Sequence, residues 1–206
     1  MREGVGMNKR TTRLLMDGLI STALVVLWRA IGFEWQSTES LGVTLAIGLV
    51  PLIWLGLRHG SATAIVFAAI AGAINLILSR PEWDWITKIL TEVTPLLAAG
   101  IAGVFAKYTQ KTLNNRRLSS TYLNIVTASL LVSLVYFALR YVVIPMVLPA
   151  VDGLALNQLP LWGGWLATTV IAAVVLILMA RINQSLIIPK RSKYLSRKET
   201  SSLLND

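Results

Sequence analysis

Long runs of Leu, Val, Ile and Ala, broken by short polar stretches, set the pattern of this chain. The apolar residues run continuously instead of alternating, so the pattern predicts helices, not strands. A membrane-spanning helix needs roughly 20 mainly apolar residues. Six stretches qualify: 14–33, 41–57, 61–79, 86–106, 121–148 and 161–188. The last two are long enough to tilt, kink or extend past a bilayer. Pro145 and Pro149 break or bend the far end of the fifth. The predicted fold class is an all-α membrane protein, a bundle of six transmembrane helices. Residues 1–13 form an N-terminal tail, 14–188 the transmembrane domain, and 189–206 a short basic tail. A longer connection, "KYTQKTLNNRRLSS" at 107–120, is polar and basic and divides the helices into four and two.

Composition supports this picture. The chain has 206 residues, 55% hydrophobic and 14% charged, with mean hydropathy +0.65. A soluble domain of that size cannot hide so much apolar surface. With no cysteine, disulfides and thiolate metal sites are excluded. No cleavable signal is expected at the N-terminus, and Met7 is an alternative start. The formal net charge of +9 points first to topology. Arg2, Lys9, Arg10, Arg13, Arg58, Lys107, Lys111, Arg116, Arg117, Arg181 and the basic tail all fall on one side if six helices alternate. The opposite connections hold Glu34, Glu39, Glu82, Asp84 and Asp152, with Arg80 as their basic residue. The positive-inside rule then predicts a multi-pass protein of the cell membrane with both termini in the cytoplasm.

Ionisable groups inside spanning segments cost about 2.5–3.5 kcal/mol or more each at a helix centre, so they mark cavities or partnered sites. Asp17, Arg29, Lys88, Glu92 and Arg140 are the candidates. Asp17 is expected at the inner interface or paired with Arg13. Glu92 lies six residues into the fourth predicted span, about 9 Å deep at ~1.5 Å per residue. Arg29, Lys88 and Arg140 share its outer half of the bundle. Two readings stand side by side. In one, Glu92 pairs with Lys88 or Arg140 purely for structure. In the other, it lines a solvated cavity that opens outward.

The tryptophans are asymmetric. Trp28, Trp35, Trp83, Trp85, Trp162 and Trp165 map to the outer side and Trp54 to the inner. Some are interfacial belt residues. Aromatic rings near a buried carboxylate also suit a flat cationic or heteroaromatic ligand. "ALNQLPLWGGW", 155–165, adds Asn157 and Gln158 at the same face. The chain has no P-loop, no metal-binding cluster and no hydrolase constellation. His59 reads as a cytoplasmic loop residue. No enzymatic activity, cofactor or nucleic-acid partner is expected. A six-helix binder without an energy source of its own makes sense as one subunit of a larger transporter.

Three local stretches carry a family resemblance: "RLLMDGLISTAL" (13–24), "GLVPLIWLGLRHGSATA" (48–64) and "GIAGVFAK" (100–107). Here the chain resembles the substrate-capture S components of energy-coupling factor vitamin transporters, most nearly the thiamin-specific ones. The second stretch is similar to the family's Leu-Arg-x-Gly turn, and counting from it puts Glu92 at the family's ligand-binding glutamate. The resemblance implies a six-helix, N-in/C-in binder that captures a water-soluble vitamin, thiamin or a related compound, at the outer face. It implies as partners a membrane coupling protein and two cytoplasmic ATPases. Gly18, Thr22 and Ala23 stand nearest the family's small-residue contact with the coupling protein.

The substrate-binding residues expected on this basis are Glu92, Trp83, Arg140, Trp35, Asn157, Trp162 and Trp165. The fifth helix departs from the family: "YFALRYVVIPMV", 136–147, offers Leu139 or Arg140 where a histidine stands, and no tryptophan. Thiamin carries a positive thiazolium, and the added arginine either pairs with Glu92 or attracts an anion. The alternatives are an S component for a different, anionic vitamin or precursor, and a ligand-sensing membrane domain without transport activity.

Overall fold

The computed structural model describes residues 9–31, 44–190 and 192–195. These residues form helices joined by short connections: α1 (Lys9–Ala30), α2 (Leu49–His59), α3 (Ser61–Leu78), α4 (Trp85–Val104), α5 (Ala106–Asn114), α6 (Leu118–Val147) and α7 (Leu159–Ile182). Five of them, α1, α3, α4, α6 and α7, are long and apolar enough to cross a membrane. With the shorter α2 they make the expected six-helix bundle.

The departures from expectation are local. The second span was expected at 41–57, but helix begins only at Leu49 among the described residues. At 11 residues, α2 rises about 16 Å at ~1.5 Å per residue, half of a ~30 Å hydrocarbon core. It is also the most enclosed element, with Leu52, Ile53, Leu55 and Leu57 fully buried. The last span stops at Ile182, and a short 3-10 turn, Gln184–Leu186, follows it. The polar 107–120 connection contains a helix of its own, α5, whose Thr109, Gln110 and Leu113 are buried.

Packing follows from side-chain size. α4 lies among α2, α3 and α6; α1 packs on α3 and α2, and α7 on α6. The lower part of α4 is rich in small residues, with Ala98, Ala99, Gly100, Ala102 and Gly103 buried, which lets neighbouring backbones approach closely. The outward face of α1 leaves Met16, Leu19, Ile20 and Leu27 exposed, a surface suited to lipid.

Two long helices are irregular. α4 is α-helical at Trp85–Lys88, π-helical at Ile89–Val93 and 3-10 at Thr94–Val104. α6 carries a π-turn at Ala138–Val143. π-Turns inside α-helices are rare and concentrate at functional sites. One carries Glu92 and the other Arg140.

The two ends of the bundle differ. At the basic end, Gly60 alone joins α2 to α3 at φ +95°, a conformation only glycine adopts without strain. That tight turn places His59 and Arg58 against α1. Asp17 accepts from Arg58 Nε at 2.7 Å and lies 2.8 Å from His59 Nε2. Asp17 thus pairs with α2 and not with Arg13, and His59 is a half-buried helix-end residue, not a loop residue. Arg58 also donates to the carbonyls of Ser185 and Leu186. Gln110 of α5 donates to the carbonyls of Leu57 and Arg58, and Ser192 donates to Gln110 Oε1 at 2.6 Å. The other end, beside Leu49 and the start of α4, holds a cavity.

Candidate functional site

The cavity lies beside the N-terminal end of α2, among α1, α3, α4 and α6. Residues 44–48 run into it as non-helical chain, and Thr44, Leu45, Ala46 and Gly48 line one wall. Thr168 of α7 fixes that wall by accepting from the Ala46 N–H at 3.1 Å. α1 contributes Val25, Trp28 and Arg29; α3 contributes Asn75; α4 contributes Thr91, Glu92 and Leu96. Tyr136, Arg140 and Tyr141 of α6 close the opposite side. The cavity volume is about 100 Å³.

Glu92 is 7% exposed, in a helix that crosses the bilayer. Its neighbour on α3 is Gly72, where a Cβ would lie 2.7 Å from Val93 Cα and 2.9 Å from the Glu92 carbonyl oxygen. Glycine here lets α3 seat directly against the π-turn. Thr91 strengthens the turn by donating to the Thr87 carbonyl at 2.7 Å. The helix itself starts at Asp84, whose carboxylate accepts from Thr87 and is thereby held below the usual aspartate range.

The ion partner of Glu92 is Arg29: Nη2 donates to Oε1 at 3.0 Å. This corrects both structural pairings expected from sequence. Lys88 points away, with Nζ over the Trp85 ring at 5.5 Å; Glu92 lies inside the π-turn that starts just after Lys88, where the i, i+4 register of an α-helix does not hold. Arg140 lies over the Tyr141 ring at 5.4 Å and makes no ion pair among the described residues.

Three polar atoms at the cavity are buried without a hydrogen-bond partner among the described residues: Arg29 Nε, Asn75 Oδ1 and Arg140 Nη1. Buried polar groups are ordinarily satisfied by protein, water or ligand. The site therefore offers two donors and one acceptor beside a carboxylate, with rings from Trp28, Tyr136 and Tyr141. That inventory suits a small, flat, polar ligand. Among the described residues no group of His, Asp and Glu is placed to hold a metal ion.

Of the expected binding residues, Glu92 and Arg140 line this cavity. The other described ones are placed elsewhere. Trp83 stacks with Arg80 at 5.3 Å in the α3–α4 connection. Trp162 donates to the Leu156 carbonyl at 2.7 Å, Trp165 donates to the Leu130 carbonyl at 3.2 Å, and their rings meet edge-on at 5.7 Å. They fasten α7 to its preceding loop and to α6. Asn157 lines a separate, mainly apolar groove that shares Tyr141 with the cavity. Trp35 lies outside the described residues. On α1, Gly18 packs against the Phe67 ring of α3 with no room for a Cβ, and Thr22 is buried. Gly18 and Thr22 thus face the chain's own bundle, and Ala23 is the exposed member of the three.

Residues that sequence reasoning left out of the site are Trp28, Arg29, Asn75, Thr91, Tyr136 and Tyr141. Arg29 had a signal, as a charge in a spanning segment. Asn75 had a weaker one, as the lone amide in an otherwise apolar helix.

The fold is found in solved structures. ThiT from Listeria monocytogenes superposes with a TM-score of 0.73 at 14% identity, over 88% of this chain and 100% of that one. No curated protein matches in sequence. The family model for "Thiamine transporter protein (Thia_YuaJ)" matches residues 15–146, a stretch that holds α2 to α5, most of α1, nearly all of α6 and every charged group named at the cavity, and the chain belongs to that family.

Proposed function

We propose that the chain is the membrane-embedded capture subunit of an energy-coupling factor transporter, and that its cavity takes up thiamin or a close relative from outside the cell. The observation that carries this reading is Glu92: a carboxylate buried at a cavity inside the bundle, on a π-turn, with one displaceable counter-ion. Arg29 is about a third exposed and Glu92 is buried (side chains 32% and 8%), so the arginine is the partner able to leave. A cationic ring entering the cavity replaces it against the carboxylate. Breaking such a pair without replacement leaves a buried charge, at about 3–5 kcal/mol. The exchange therefore favours a ligand that brings its own positive charge. Trp28, Tyr136 and Tyr141 offer faces for stacking or cation–π contact. Asn75 Oδ1 is an acceptor for a ring amino group.

Orientation follows from charge. Arg58, Lys107, Lys111, Arg116, Arg117 and Arg181 sit at the end opposite the cavity, which supports cytoplasmic termini and an outward-facing site. With no nucleotide-binding motif of its own, the chain relies on a membrane coupling protein and two ATPases for uptake. Co-purification of tagged chain with those subunits is the expected result.

The direct test is a tryptophan-fluorescence titration of the purified protein against a panel of water-soluble vitamins, with Trp28 at the cavity as reporter. Saturable quenching by thiamin is expected. Saturable quenching by no member of the panel overturns the reading.

A further inference from the structure

We infer that Arg140 is an anion subsite, so that the preferred ligand joins a cationic ring to a covalently attached acidic arm of the phosphomonoester type. This rests on the thiamin-type reading above and adds the second charged group of the ligand.

The charges of the cavity carry the argument. Arg29, Arg140 and Glu92 line it, and among the described residues Glu92 is its one acidic group. That carboxylate is taken by Arg29 at 3.0 Å. Among the described residues the cavity thus holds one positive charge more than its carboxylate balances. Guanidinium does not deprotonate in proteins, and a cation inside a spanning segment is costly unless it is partnered. Among the described residues Arg140 lies against the Tyr141 ring at 5.4 Å and makes no ion pair. A ring face steadies the guanidinium plane but accepts none of its in-plane N–H bonds. Nη1 is buried and has no acceptor among the described residues.

Placement agrees with this. Arg140 sits on the π-turn Ala138–Val143 and lines the same cavity as Glu92, which rides on the other π-turn. A fixed guanidinium fork matches the oxygens of phosphate bidentately, which a single ammonium does not. A ligand whose cationic ring goes to Glu92 and whose acidic arm goes to Arg140 satisfies both groups at once. Thiamin alone satisfies only the first and leaves two like charges in one small space.

The test compares thiamin, thiamin monophosphate, and thiamin with added inorganic phosphate, each titrated by fluorescence into wild type, R140Q and R140K in detergent. Wild type is expected to bind the monophosphate roughly tenfold or more tighter than thiamin. R140Q is expected to weaken the monophosphate and to tighten thiamin, whereas loss of a merely structural arginine weakens both alike. R140K, which keeps charge without the fork, is expected to fall between. If R140Q does not fold, the wild-type ratio and R140K decide. Thiamin bound as tightly as the monophosphate by wild type, or parallel weakening in the variants, overturns the inference alone. Free phosphate enhancing thiamin binding as well as the ester does overturns the covalent arm. Binding of neither ligand overturns the underlying functional reading.

Discussion

The two ends of the bundle use the same residue types to opposite purposes. At the basic end, Asp17 is engaged by both Arg58 and His59, Arg58 also reaches two carbonyls, and Gln110 bridges α2 to the segment after α7. These groups hold helices together, although Thr109 Oγ1 beside them is buried without a hydrogen-bond partner among the described residues. At the cavity end, Glu92 has one ion partner, and Arg29 Nε, Asn75 Oδ1 and Arg140 Nη1 have no partner among the described residues. The backbone follows part of the same division: Glu92 and Arg140 ride on π-turns, while Arg29 and the charges of the basic end sit on regular α-helix. Saturated networks fix a structure; unsaturated ones in a shaped cavity await something else.

That contrast can be broken by experiment. Asp17→Asn removes the carboxylate that unites Arg58 and His59. It is expected to cost about 3 kcal/mol of stability, read as a lower melting temperature in detergent, with thiamin affinity unchanged. A loss of affinity at unchanged melting temperature contradicts the division. Gly72→Val forces a side chain against Val93 beside Glu92. It is expected to cost about 2 kcal/mol and, unlike Asp17→Asn, to weaken binding as well.

Arg29→Gln frees Glu92 from its internal partner. Thiamin affinity is expected to rise about fivefold, because the competent state no longer competes with an ion pair. The unliganded protein melts earlier. Weaker binding in this variant shows that Arg29 is itself a ligand contact. Smallest of all, Trp83→Phe and Trp162→Phe change affinity by less than about twofold, since both rings are engaged away from the cavity. A larger fall returns those rings to the site.

Much of this was legible in the chain. Hydropathy gave six spans, five of which are long helices, and burial cost picked out Asp17, Arg29, Lys88, Glu92 and Arg140. What escaped did so for physical reasons. The shortness of α2 is hidden because 41–48 reads as apolar whether or not it is helical. The Arg29–Glu92 pair joins residues 63 positions apart, and no periodicity encodes that. Lys88 seemed well spaced for Glu92, but i, i+4 arithmetic assumes an unbroken α-helix, and a π-turn intervenes. Trp83, Trp162 and Trp165 drew attention because tryptophan is conspicuous, whereas Asn75, Thr91, Tyr136 and Tyr141 barely perturb hydropathy. A neutral polar residue facing a cavity looks, in sequence, like one that back-bonds to its own helix.

The central claim is that Glu92 receives the positive charge of the ligand. Glu92→Gln keeps the shape and removes the charge, so equilibrium titration of purified wild type and variant with thiamin tests it most directly. The account predicts saturable quenching by wild type and affinity roughly 100-fold weaker in Glu92→Gln, with both proteins monodisperse in detergent. Equal affinity in the two contradicts it.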